Sequence, residues 1–188
     1  MAFRFARAQT AEFDESSWRA ARIWLRESGL SVRQICTWFQ VPFSLSFYKI
    51  MRSEQYLPRR SSSLSRMLCE RAIRLHKENA EIPCKSDLLG DLDVAPQASE
   101  QLDTFLESSL QTLDDLKNSK NESATDNATV SWQLDESGSF ISVTFFFRDV
   151  DPRDQQSFKQ AISSIQSNPA FASLKVSAEF VTTVNLTG

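Results

Sequence analysis

Apolar residues recur at helical spacing along the first half of the chain and at alternate positions along the last third, so the period of the pattern changes midway. Near Asp14 an acidic first turn precedes Trp18, Ala21 and Leu25, one face of a helix that Gly29 stops. Ser31 is a strong N-cap for a short helix over residues 32–39, with Ile35 and Phe39 on one side, and Pro42 closes it. A third helix is predicted over about 44–52, since proline is tolerated at a helix entrance and no breaker follows before Pro58. A fourth runs from Leu64 to about Lys77, with Leu64, Met67, Leu68 and Leu75 on one face.

Between residues 79 and 98 two prolines, Gly90 and four acidic residues (Glu81, Asp87, Asp91, Asp93) interrupt every periodic pattern, which marks a boundary or an exposed loop. A helix then starts near Ser99, where Leu102, Leu106, Leu110 and Leu113 recur at intervals of four, four and three with Phe105 alongside. Residues 117–128 hold no apolar side chain larger than alanine and read as a flexible linker. After it the period becomes two. Val130, Trp132 and Leu134 alternate, residues 136–139 supply a turn, and residues 140–147 form the second strand of a hairpin. A helix starting at Asp151 or Pro152 places Phe158, Ala161, Ile162 and Ile165 together, Asn168-Pro169 stops it, and a half-buried strand follows from Leu174 to Val184.

The predicted class is α+β: a helical bundle over residues 1–80, an acidic linker over 81–98, an amphipathic helix over 99–116, a flexible linker over 117–128 and a β-β-α-β domain over 129–188. Strict alternation puts Ile141, Val143, Phe145 and Phe147 on one face of the central strand and Phe140 and Phe146 on the other, so the second face needs a cover. The stripe of Leu102, Phe105, Leu106, Leu110 and Leu113 could provide it within the chain, or a second subunit could. Self-association as a dimer or higher homo-oligomer through these residues is the expectation.

Charge divides the chain more sharply than hydropathy does. Residues 1–78 carry fourteen Lys/Arg against seven Asp/Glu, while residues 79–188 carry seven against seventeen, so a total of −3 conceals two opposed halves. A basic half can hold a polyanion by displacing its counterions, and an acidic half would be repelled from the same surface. The acidic residues of 81–93 could fold back on the basic half as a mimic of DNA. Cys36, Cys69 and Cys84 are odd in number and widely spaced, which argues for reduced thiols and against a disulfide framework or a zinc site. No stretch approaches the roughly 20 apolar residues a bilayer demands. A cytoplasmic location is expected, or a nucleoid or nuclear one for a DNA-bound protein.

Within the basic half, residues 18–52 read WRAARIWLRESGLSVRQICTWFQVPFSLSFYKIMR: a helix ending in glycine, a Ser-capped short helix, a turn and a further helix. This stretch resembles the helix-turn-helix of transposase- and resolvase-type DNA-binding domains. The run from Gly29 to Ile35 matches the approach to the first motif helix, and Val41 occupies the apolar position of the turn. Gln40 stands where the pattern has glycine, and Pro42-Phe43 displaces the next apolar residue, Phe47, by one place. The resemblance implies that the third helix enters the major groove of double-stranded DNA, with Ser44, Ser46, Tyr48 and Lys49 toward base edges and Arg33, Arg52, Arg59 and Arg60 on phosphates. Phe43, Phe47 and Ile50 then belong to the core, as do Trp18, Trp24 and Trp38.

No catalytic constellation emerges. The chain has one histidine, His76, and four scattered glycines, which rule out a Gly-rich phosphate loop. Asp149, Asp151 and Asp154 lie at the start of a predicted helix, where capping and the helix dipole account for them. No metal and no cofactor are called for. The expected function is a DNA-binding protein, most simply a transcriptional regulator, that pairs its basic domains by self-association. A protein–protein adaptor and a phage small-terminase-like recognition subunit are the alternatives.

Overall fold

The computed structural model describes residues 12–59, 63–88 and 96–182. In chain order the elements are α1 (Glu15–Glu27), α2 (Val32–Trp38), β1 (Phe43–Ser44), α3 (Leu45–Arg52), α4 (Leu64–Lys77), α5 (Pro96–Asp115), β2 (Ala128–Leu134), β3 (Phe140–Arg148), α6 (Pro152–Gln166) and β4 (Lys175–Val181), with short 3-10 turns between some of them. The class is α+β, as the change of period predicts.

Side chains beside α1, α2, α4 and α6 set their starts. Asp14 accepts from the Ser17 amide at 3.0 Å, Ser63 from the Arg66 amide, and Asp151 from the Arg153 amide. Ser31 and Gln34 form a reciprocal capping box at the start of α2. Gly29, at φ +73°, turns the chain out of α1, and Asn79, at φ +53°, does the same after α4.

The sheet has the order β1-β2-β3-β4, with the first two pairings antiparallel and the last parallel. Its fourth strand is one the alternation does not announce. Phe43, taken above as a core residue, and Ser44, taken as the start of the third helix, pair with Val130 and Thr129. The basic half thus contributes an edge strand to the acidic half, and packing is continuous across the division expected at residue 80. A single buried cluster extends from Trp18 and Leu25 through Phe43 and Phe47 to Phe145, Phe147 and Phe158.

The central strand departs from strict alternation. The register with β2 slips between Gln133 and Leu134, so that Leu134 faces Phe140 and Ile141 is extra. Phe140 therefore lies on the inner face, its ring 6.2 Å from that of Trp132, whose strand partner is Val143. Ile141 is exposed. The outer face carries Phe146, half-buried, among Thr129, Ser131, Ser142, Thr144 and Ser177. The expectation that Phe140 and Phe146 share a face in need of a cover is corrected: the bulge moves Phe140 inward and leaves a mostly hydroxyl-bearing surface.

Helices α5 and α6 both stand on the inner face. Phe105 of α5 meets Phe145 at 6.0 Å and Phe171 edge-on at 5.0 Å, and Phe158 of α6 meets Phe147 edge-on at 5.0 Å. Leu102, Phe105, Leu106 and Leu113 are buried within their own chain, and Leu110 is packed against the same core. Residues 117–128 are not a slack linker. Asn118 accepts from the Lys120 and Glu122 amides, and Ser123, which caps a 3-10 turn at Ala124–Asn127, is buried together with Ala124 and Thr125, so hydrogen bonds order a segment that lacks large apolar groups.

Candidate nucleic-acid interface

The capping box holds α2 in place, and the Arg71 guanidinium donates to the Phe39 carbonyl at 2.7 Å just beyond its end. Gln40 then takes φ +56°, the left-handed conformation that favours glycine, and the chain turns into β1 and α3. The connection between α2 and α3 spans residues 39–44 and contains a strand. It is longer than the usual three- or four-residue turn of the motif. The other end of α3 is held by Arg22, a buried residue of α1. Its Nε donates to the carbonyls of Ile50 and Met51, and its Nη1 lies 3.5 Å from Glu54.

The polar residues predicted to read bases are placed in packing rather than at the surface. Ser44 is 2% exposed and caps α3 by accepting from the Phe47 amide. Ser46, 6% exposed, lies 3.3 Å from the Ser44 hydroxyl. Tyr48 is 4% exposed; its hydroxyl accepts from Arg52 Nη1 at 2.8 Å and lies 3.5 Å from Asp103 Oδ1. Burial, and then the nearby Asp103 carboxylate, raise the Tyr48 phenol above its ordinary range, against the lowering effect of Arg52. This corrects the expectation that Ser44, Ser46 and Tyr48 face solvent: α3 is covered by segments far along the chain, which its own sequence does not announce.

The predicted cations are divided among several partners. Lys49 Nζ is 2.7 Å from Asp114 Oδ2 and 4.0 Å from the centre of the Tyr56 ring. Arg52 pairs with Glu107. Arg33 is buried, with its guanidinium 5.7 Å from the Trp132 ring centre. Arg59 is exposed, and Arg60 lies outside the described residues. Exposed cations also occur at Arg26 of α1 and at Arg74 and Lys77 of α4.

Sequence reasoning missed the residues that meet α3. Asp103, Glu107 and Asp114 each follow a buried leucine of α5, namely Leu102, Leu106 and Leu113. That repeat puts an acidic ridge beside the apolar stripe, and the signal is legible once the helix is phased. Of the acidic linker, residues 81–88 are described, with Lys85 lying against Gly29; residues 89–93 are outside the described part of the chain.

A second concavity, a polar cleft of about 920 Å³, is lined among others by Ser63, Lys120, Asp126, Arg148, Asp149 and Asp154. Two of its lining carboxylates have structural roles. Asp151 caps α6 and is held below the ordinary carboxylate range by hydrogen bonds from Arg153, while Asp154 accepts from both the amide and the hydroxyl of Ser119. Among the described residues no group of three His, Cys, Asp or Glu side chains could hold a metal ion. No described helix is long and apolar enough to cross a membrane. The chain matches no protein-family model, no curated protein and no solved structure.

Proposed function

We propose that this is a non-catalytic DNA-binding protein whose helix-turn-helix is formed by α2 and α3, acting as a transcriptional regulator. The observation that carries the reading is Gln40: at the turn position where the motif has glycine, this chain has the left-handed backbone that glycine would supply. The Ser31 capping box and the surplus of fourteen cations over seven carboxylates in residues 1–78 agree with it. Self-association would use surfaces other than the leucine stripe, which is already buried; Phe146 and Ile141 on the outer sheet face are the apolar candidates.

The burial of Ser44, Ser46 and Tyr48 favours a second reading, a protein adaptor in which the same motif is only a packing element. Binding of the full chain to a mixed-sequence duplex, followed by fluorescence anisotropy at two salt concentrations, separates the two. On the DNA reading the affinity falls steeply with salt, and replacing Arg59 by Ala reduces the logarithmic salt slope by about 1. Light scattering on the same samples gives the subunit count. Absence of binding at low salt, both in the full chain and in the α5 variant described next, leaves the adaptor.

A further inference from the structure

We propose that α5 is an autoinhibitory latch: its acidic ridge occupies the face of α3 that DNA would use, so that DNA and α5 compete for the same side chains. The inference rests on the DNA-binding reading and specifies how that site is controlled. Asp103, Glu107 and Asp114 meet Tyr48, Arg52 and Lys49 respectively, three of the α3 side chains predicted to touch DNA. The three carboxylates are spaced four and seven residues apart, about 6 and about 10 Å along the axis, so one helical edge presents a row of negative charge to one helical face. A row of carboxylates offers these donors what a row of phosphates would.

The partners differ in how firmly they are anchored. α5 is fixed to the sheet through Leu102, Phe105, Leu106 and Leu113, so its acidic ridge stays with the C-terminal half. The helical half reaches the C-terminal half through the two-residue strand β1, the edge-on contact of Phe43 with Trp132 at 5.4 Å, Arg33 over the same ring, and the packing of α3 on β2, α5 and the 3-10 turn at Ala124–Asn127. The pairs at Arg52–Glu107 and Lys49–Asp114 keep part of their side chains in solvent, where a polyanion can compete for them. Opening separates α3 and β1 from α5, β2 and that 3-10 turn, and so exposes part of the shared core, with no refolding of the helices themselves.

The test uses the full chain carrying Asp103→Asn, Glu107→Gln and Asp114→Asn. A control of equal charge change carries Glu100→Gln, Asp115→Asn and Glu136→Gln, at exposed positions. The expected result is a duplex affinity at least tenfold higher in the latch variant than in the control, with faster amide hydrogen exchange over residues 45–52. Equal affinities in the two variants, both binding, would overturn the latch and leave the DNA reading standing. Faster exchange with no duplex binding by any form would instead overturn the DNA reading, and the latch function with it. If the triple variant does not fold, Asp114→Asn alone, which keeps the other two contacts, should shift affinity in the same direction by a smaller factor; no shift would count against the latch.

Discussion

The three thiols occupy contrasting environments. Cys36 and Cys69 are buried and Cys84 is exposed. Burial pushes the Cys36 thiol up to about 11 and raises that of Cys69 as well, so at pH 8 both are protonated and closed to reagent. A thiol reagent applied to the folded protein should modify Cys84 alone, with the other two reacting only in denaturant; native labelling of Cys69 would contradict the packing. The sign of the pH effect follows. A group whose folded pKa lies above its unfolded value of 9.0 contributes stability below that value and loses it as pH rises toward about 11, so thermal stability should fall across that window and fall less in Cys36→Ala. At this scale the Ser31 cap was legible, because it acts on an amide three residues away. The setting of Tyr48 was not, because its hydroxyl meets Asp103, fifty-five positions later.

Among the elements, the turn after α2 makes the sharpest prediction. Gln40 holds a left-handed conformation in which its Cβ is crowded by backbone. Gln40→Gly should therefore stabilise the protein by about 0.5–1 kcal/mol, the relief of strain exceeding the added freedom of the unfolded chain, whereas Gln40→Val should destabilise it by about 1–2 kcal/mol. Urea midpoints read both. Helices α1 and α6 could be phased from the sequence because each buries one continuous face, whereas α4 buries Ser65, Leu68, Cys69 and Ala72 and leaves Met67, expected on the inner face, exposed. Two features could not. β1 is only two residues long and sits inside a helix-turn-helix pattern, and the bulge at Ile141 shifts Phe140 by one place, which in a strand exchanges faces.

For the whole molecule, one core spanning both halves predicts one unfolding transition. Tryptophan fluorescence, dominated by Trp18, Trp24 and Trp38 of the helical half, should melt together with the far-ultraviolet signal of the sheet, and Phe147→Ala should lower both midpoints through a loss of about 3–5 kcal/mol. Two separate melts would show that the halves fold independently. Charge asymmetry pointed to the acidic residues of 81–93 as what could fold back on the basic half, whereas the carboxylates that meet α3 belong to α5. Which surfaces meet was hidden in the phase of α5, where Asp103, Glu107 and Asp114 each follow a buried leucine.

The pairing of Phe43 and Ser44 with Val130 and Thr129 also sets an order in time. A ribosome makes β1 early and its partner strand late, so the first half leaves the exit tunnel with one strand's hydrogen bonds and the Phe43 ring still unsatisfied. Local helical contacts among α1–α4 can form while translation continues, but the join between the halves must wait for the hairpin. A chain arrested before α5 would therefore leave exposed the surface of α3 that the finished molecule covers.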